Sequence, residues 1–295
     1  MDNCGKGGIF VAYIKICYMD YEQIYLEEHV KNGLTYSQIR EKYNIPRGTW
    51  DYHVRKTLGY KNDGRKYRAN DDFFDVIDSE IKAYLLGFLY ADGYISADGR
   101  IGVSLNEKDI EIMNLIHDFI APNSEIKHLN YQNFKRDPQV KIRFKSKQIY
   151  KRLQEFGFTT DKTHHDCDIL SKIPEDFKRH FIRGYCDGDG SICYNMQVDK
   201  RDGRIYPKLG ITFCNGVPKI LEEIKDYINL PAHFKQHESW YTLSYYKKSL
   251  IKPICELLYN NCTYYLKRKY EAAMNIIKYC NNTELNSEIK ESESV

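Results

Sequence analysis

Two acidic residues, Asp92 and Asp189, each precede a glycine at the end of a short apolar pattern that occurs twice. The copies read YLLGFLYADG over 84–93 and FIRGYCDGDG over 181–190, and each has small residues at positions i and i+4. Residues four apart share one helix face, so each copy presents a stripe on which a second backbone can pack closely. If the stripes face each other, the two carboxylates emerge side by side at helix C-termini, where they repel each other unless a divalent cation offsets their charge.

The similarity between the two copies continues beyond the motif. An isolated Asp-Gly pair is a common turn signal and carries little weight alone. Here the segment 101–106 is matched by 209–215, and 144–153 is matched by 245–254. The chain therefore contains a duplicated module.

Both copies resemble the signature of the LAGLIDADG homing endonucleases, in the single-chain form with two motifs. The resemblance covers residues 80–280, and the second copy is the closer match. The first copy departs at Tyr90, where the family's motif often has an acidic residue. The resemblance implies an α+β fold in which two pseudo-symmetric αββαββα modules form a saddle of sheets. It also implies intron homing by site-specific cleavage of double-stranded DNA.

Cleavage of both strands requires two attacking waters and charge stabilisation at two phosphates, which divalent metals supply. Asp92 and Asp189, one from each module, are the expected ligands of Mg²⁺, with Mn²⁺ as a substitute. The backbone carbonyls of Ala91 and Gly188 are expected to add ligands.

The resemblance implies further residues near each metal. A basic residue is expected there from each module, and the matching positions are Lys162 and Lys267, with Lys269 as a competitor for the second place. Asn106 and Asn215 follow the second strand of each module, where the family has polar residues that order water. Surface lysines and asparagines are the alternative interpretation of these positions.

The charge of the chain is unevenly distributed. The net charge is only +3, but residues 31–70 contain ten Lys or Arg against three Asp or Glu. A second basic stretch at 134–153 contains one acidic residue, Asp137. Basic stretches interleaved with tyrosines are typical of nucleic-acid-binding proteins, although a solvated lysine-rich face is the alternative.

The composition limits the cellular context. The 295 residues include no apolar run long enough to span a membrane and no secretory signal. Nine cysteines occur without a C-x-x-C pair, which suits reduced thiols. We expect a cytoplasmic protein that is not secreted, has no membrane partner and acts as a monomer.

The pattern predicts six regions along the chain. They are an N-terminal extension (1–20), a segment that resembles a helix-turn-helix (21–60), a basic linker (61–79), the first module (80–164), the second module (165–280) and an acidic tail (281–295). In the second region, Trp50, Val54 and Leu58 should point inward. The expected DNA contacts from this region and the linker are Arg47, Thr49, His53, Arg55, Arg65, Lys66 and Arg68. A small helical bundle used only for packing is the alternative.

Alternation of polar and apolar residues with a period of two predicts strands over 141–144 and 241–245. It assigns Lys141, Arg143 and Tyr241 to a polar face, and Lys145 continues the basic run. By resemblance, this face reads bases in the major grooves of a long target. The alternative function is an RNA maturase or a DNA-binding regulator that uses the same saddle without cleavage. The presence of both motif aspartates favours the nuclease.

Overall fold

The computed structural model describes residues 20–58, 69–130, 137–160 and 167–292, with side chains up to 282. Its first described part is helical. Helix α1 (Tyr21–Ile24) continues as a π-helix (Tyr25–Lys31), and α2 (Tyr36–Tyr43) and α3 (Arg47–Thr57) follow. We call residues 20–58 the helical segment.

Two modules with the same order of elements follow the helical segment. The first consists of α4 (Glu80–Asp92), β1 (Gly93–Ile95), β2 (Arg100–Asn106), α5 (Ile110–Ile120), β3 (Lys127–Leu129), β4 (Gln139–Lys145) and α6 (Lys147–Glu155). The second consists of α7 (Glu175–Asp189), β5 (Ser191–Val198), β6 (Ile205–Asn215), α8 (Lys219–Ile228), β7 (His233–Gln236), β8 (Tyr241–Tyr245), α9 (Lys248–Tyr259) and α10 (Lys267–Ser292). Helix α10 runs through most of the predicted acidic tail.

Each module contains one antiparallel sheet of four strands. The strand orders are β1-β2-β4-β3 and β5-β6-β8-β7, so the two sheets share one topology. In each sheet one face is buried: β2 contributes Ile101 and Val103, and β6 contributes Ile211 and Phe213. The opposite faces carry the polar residues. This arrangement confirms the predicted α+β fold with a duplicated module.

The first module begins upstream of residue 80, within the predicted linker. Phe73, Phe74 and Ile77 are buried in the core despite their charged neighbours. The backbone N–H of Asn70 donates to the carbonyl of Ile120 at 2.8 Å. Residues 69–79 therefore pack as part of the module, and the linker residues Arg65, Lys66 and Arg68 lie outside the described residues.

The helical segment is fixed to the first module through Asp118 of α5. This carboxylate is buried and accepts hydrogen bonds from the Tyr25 hydroxyl at 2.5 Å and from Nε2 of His29 at 3.1 Å. Nδ1 of the neighbouring His117 lies 2.5 Å from its other oxygen. Because α5 packs against β2 and β4, the helical segment lies on the side of the first module opposite the polar face of its sheet.

The contacts of His29 require a charged ring. Its Nδ1 lies 2.8 Å from the carbonyl oxygen of Leu34, while its Nε2 faces Asp118. Both neighbours are acceptors, so both nitrogens must carry protons. Burial acts to lower the pKa of His29, but the hydrogen bond and charge of Asp118 raise it above the ordinary value of 6.5. Burial likewise acts to raise the pKa of Asp118, and the three donors hold it at about 2.

We expect the attachment of the helical segment to be most stable between pH 3.8 and pH 6.5, which are the ordinary pKa values of Asp118 and His29. A raised histidine pKa contributes stability below 6.5 that is lost as the pH rises through the raised value. A depressed carboxyl pKa contributes stability above 3.8 that is lost as the pH falls toward 2. Trp50 fluorescence during unfolding, measured in a Trp240→Phe background, reports the profile. The loss of stability at alkaline pH should be absent in His29→Gln. Identical profiles of stability against pH for this variant and for the protein with His29 would contradict the charged state assigned to His29.

Candidate active site at the paired helix ends

Helices α4 and α7 cross with their backbones in direct contact. A Cβ atom on Gly87 would lie 2.0 Å from the carbonyl oxygen of Phe181, and one on Gly184 would lie 2.0 Å from that of Tyr84. No side chain fits at such distances, so both positions require glycine. The two glycines are related by the pseudo-twofold axis between the modules, as the repeated small-residue stripe predicts.

The contact continues to the C-terminal ends of the two helices. A Cβ on Gly188 would lie 2.4 Å from the Cβ of Ala91 and 3.3 Å from Oδ2 of Asp92. The carboxylate of Asp92 therefore lies beside the residue that precedes Asp189. Both aspartates are half-buried and end their helices at the same end of the pair.

The interior of the helix pair is polar on the side of the second module. Asp187 takes the motif position of Tyr90 and is almost fully buried. It accepts hydrogen bonds from the hydroxyls of Tyr84 and Tyr259 at 2.8 and 2.7 Å and from the backbone N–H of Leu266 at 2.8 Å. Burial raises the pKa of Asp187, against the lowering effects of a nearby lysine charge and of these hydrogen bonds. These bonds tie the motif helices to the start of α10.

A buried lysine, Lys269, caps the C-terminus of α7. Its ammonium donates to three backbone carbonyls, those of Cys186, Asp187 and Gly190, at 2.7 Å each, and the carbonyl of Gly188 lies 3.3 Å away. A cation at this position offsets the negative end of the helix dipole, where Asp189 adds further negative charge. The predicted residue Lys267 is exposed, and its backbone N–H donates to Glu111. The structure thus brings the competitor Lys269, rather than Lys267, to the motif; Lys162 lies outside the described residues.

The two predicted asparagines stabilise turns at the ends of strands. Oδ1 of Asn106 accepts from the N–H of Lys108, and its amide donates to Asp137 at 3.0 Å. Asn215 forms the same type of turn with Val217, and its amide donates to Tyr185 at 2.8 Å. Their role in ordering water stays a prediction.

Cys214 contacts the candidate site and was not predicted. Its thiol donates to the backbone carbonyl of Asp189 at 2.9 Å. Phe213 points into the core, so Cys214 belongs to the polar face of β6, where it pairs with Thr242. Strand alternation could have revealed this placement, but a cysteine beside a phenylalanine resembles core residues in sequence.

The polar face of the first sheet matches the sequence prediction. Arg143 and Lys145 are exposed and Lys141 is half-exposed, while Ile142 and Phe144 are buried. These three basic residues of β4 therefore point away from the core. They form the most basic part of this face.

Tyr241 is not on the polar face of the second sheet. It shares the face of β8 with Leu243 and Tyr245, which are both buried, and it packs against Phe234 with ring centroids 6.1 Å apart. The polar face of β8 instead consists of Thr242 and Ser244. The prediction was wrong by one residue, because the polarity of the strand alternates weakly and a tyrosine suits either face.

The predicted contacts of α3 are partly exposed. Trp50, Val54 and Leu58 point inward as predicted. The outward positions are Arg47 and Arg55, which are exposed, and Thr49 and His53, which are half-buried. His53 stacks on Tyr21 with centroids 3.9 Å apart, and Arg47 pairs with Asp51 at 3.6 Å. All of them lie on the helical segment, on the far side from the polar face of the sheet.

The oxygen atoms at the helix ends suit a hard divalent cation. Two carboxylates and neighbouring backbone carbonyls are the ligand types that Mg²⁺ and Ca²⁺ prefer. Within the described ranges, no group of three or more His, Cys, Asp or Glu is placed to hold a metal. Asp92 and Asp189 are the carboxylates that would hold such a cation.

Most of this chain is similar in fold to solved structures, including the following two. I-SmaMI bound to an uncleaved DNA target in the presence of calcium ions is 12% identical, with a TM-score of 0.50 over 70% of this chain and 92% of that one. The LAGLIDADG meganuclease I-AabMI bound to uncleaved DNA is 12% identical, with a TM-score of 0.50 over 69% and 91%. The chain therefore has the saddle fold of the LAGLIDADG endonucleases.

Sequence comparison does not add to this finding. No protein-family model matches the chain, and no curated protein matches it. Across the described ranges, no helix combines the length and apolar character needed to cross a bilayer.

We expect Gly184→Ala to destabilise the protein by about 1–3 kcal/mol, because the added methyl overlaps the backbone of α4. The measurement is the free energy of unfolding in urea. Gly48→Ala adds the same methyl to a helix where nothing lies within 4 Å, so it should stabilise by about 0.5–1 kcal/mol. Equal effects of the two substitutions would show that the helix contact is not close.

We expect Lys269→Met to lower the free energy of unfolding by about 1–3 kcal/mol, because it leaves the buried carbonyls of α7 without their donor. The exposed Lys267→Met is the matched control and should change stability by less than about 0.5 kcal/mol. If Lys267→Met has the larger effect on stability, the capping role of Lys269 is refuted.

Proposed function

We propose that this protein is a site-specific endonuclease that cleaves double-stranded DNA with a divalent metal ion, Mg²⁺ in the cell. The observation that carries the proposal is the placement of Asp92 and Asp189, one from each module, at adjacent ends of two helices in backbone contact. A pure binding protein gains nothing from two apposed carboxylates beside phosphate groups. The shared fold supports the same function, since I-SmaMI and I-AabMI were both solved bound to DNA.

In this proposal Asp92 and Asp189 hold the metal, and the carbonyls of Ala91 and Gly188 lie next to it. When bound, a divalent metal activates water and stabilises charge at the phosphate. The chain's own part is to fix the ligands. Gly87 and Gly184 set the separation of the helices, and Lys269 offsets the negative end of α7 while it holds the backbone before and after Asp189.

The polar faces of both sheets bind the target, and the single chain acts as a monomer because it supplies both aspartates. The helical segment packs on the side of the first module away from these faces, so the DNA that it contacts through the exposed Arg47 and Arg55 lies outside the stretch that the saddle covers. Each phosphate contact steepens the salt dependence of binding by about 0.9 in the log–log slope. The double variant Arg47→Ala, Arg55→Ala should therefore show a flatter slope; an unchanged slope assigns the segment to packing alone.

We expect Asp92→Asn and Asp189→Asn each to abolish double-strand cleavage while DNA binding persists. Each substitution removes a metal-binding charge that also repels phosphate, so affinity should be unchanged or higher. The DNA is a target selected from a randomised library. Its cleavage in Mg²⁺ and its binding, followed by fluorescence anisotropy, are measured side by side. Asp176→Asn, at the opposite, exposed end of α7, is the control and should cleave normally.

Full double-strand cleavage by either motif variant would refute the proposed site. Binding without cleavage by the unmodified protein, in Mg²⁺ and in Mn²⁺, would instead indicate a maturase or a regulator built on the same saddle.

A further inference from the structure

One row of side chains crosses the polar face of the first sheet next to the candidate site. Tyr94 lies two residues beyond Asp92 and pairs with Gly102 of β2, which pairs in turn with Arg143 of β4. A Cβ on Gly102 would lie 2.6 Å from the hydroxyl oxygen of Tyr94 and 2.7 Å from its Cζ. The tyrosine ring therefore lies across the strand at Gly102, and a larger residue there would displace it from this position.

The ring holds the guanidinium of Arg143. Nε of Arg143 donates to the Tyr94 hydroxyl at 2.7 Å, and Nζ of Lys141 lies 5.5 Å from the centre of the same ring. Arg143 is exposed, and it forms no ion pair with a carboxylate among the residues that the structure describes. With Nε occupied, the two terminal nitrogens of this exposed side chain retain their N–H groups, which form a planar fork.

The matching row in the second module has different chemistry. Ser191, Thr212 and Ser244 occupy the three positions, and the hydroxyls of Thr212 and Ser244 lie 3.0 Å apart. These small neutral side chains carry single hydroxyl groups and lack the planar, charged fork of an arginine. The two halves of the saddle therefore differ at corresponding places.

We propose that Arg143 is a specificity-determining residue that reads one guanine in the half of the target bound by the first module, with Tyr94 and Gly102 as its positioning residues. The proposal rests on the proposed DNA-cleaving function. A guanidinium fork matches the O6 and N7 acceptors that guanine alone presents together in the major groove. Because the row starts two residues after Asp92, this guanine lies close to the cleaved bonds. The corresponding base pair of the other half is read without such a contact.

The neighbouring lysines act differently. The ammonium group of Lys141 is a point charge on a flexible stem, without the planar fork of arginine. Contacts between such groups and phosphates add affinity and carry no sequence information directly. Lys141 thus provides a control from the same strand and the same face.

The test is selection of bound duplexes from a randomised library in Ca²⁺, followed by affinity measurements on the selected duplex and its single-base variants. The intact chain should require guanine at one position of one half. A contact of this type is worth about 1–3 kcal/mol, so Arg143→Ala and Arg143→Lys should each reduce the preference by about 5- to 150-fold. Tyr94→Phe keeps the ring but removes the hydroxyl, and should also weaken the preference for guanine. Lys141→Ala should weaken binding to all sequences equally.

Two results would overturn the inference. If Arg143→Ala weakens the binding of all DNA sequences equally, Arg143 contacts a phosphate. If Arg143→Ala selects the same DNA sequence as the unmodified protein, Arg143 reads no base. Both results leave the nuclease intact, whereas enrichment of no sequence by the intact protein would refute site-specific binding itself. Arg143 is exposed, so its variants should fold, and circular dichroism checks this.

Discussion

The contact between the backbones of α4 and α7 is the constraint on which the rest of this structure depends. With glycine at 87 and 184, the two helices approach until carbonyl oxygens occupy the space that a methyl group would need. This distance leaves the helices little freedom to slide or separate. Because each sheet follows directly from its motif helix, the same contact sets the separation of the sheets and the position of the two aspartates. Fold and candidate site are thus determined by one interface.

So close a contact leaves little room for large side chains, and the second module stabilises it with buried polar groups. Arg183 is completely buried and donates to Glu80 of the first module at 2.6 Å and to the carbonyls of Tyr264 and Leu258 at 2.8 and 3.0 Å. Asp187 and Lys269 extend the network to the helix ends. Buried charges stabilise a structure only when their partners are complete, and here each has several. The same bonds hold the backbone around Asp189.

The sequence predicted the features that depend on local spacing. Repetition showed the duplicated module, glycine spacing showed the helix contact, and the strands predicted over 141–144 and 241–245 lie within β4 and β8. The predictions that the structure does not match concern the orientation of a helix or strand, or contacts between residues distant in sequence. Lys267 and Lys269 lie on nearly opposite sides of a helix, so the right choice requires the orientation of α10. To place Tyr241 on the correct face, one must know which residues of β8 point to the core. The burial of Thr242 and Ser244 on its polar face makes the two faces hard to tell apart in sequence.

Partners distant in sequence explain the remaining omissions. Asp118 appears in sequence as a solvent-facing helix residue, and only the fold brings Tyr25 and His29 to it. In the same way, Tyr94 and Arg143 are 49 residues apart, and the sheet register alone makes them neighbours. The charged residues around Phe73 and Phe74 concealed a core segment within an apparent linker.

The buried charges also determine which module can pair with which. In the aligned motifs, Leu86 takes the place of Arg183 and Phe177 takes that of Glu80. Two copies of the second module would face each other with two arginines and no glutamate, and two copies of the first would leave both glutamates without arginine. Each half is therefore a poor partner for itself and a good one for the other. A gene split between the modules would therefore yield two polypeptides that prefer each other to a second copy of themselves.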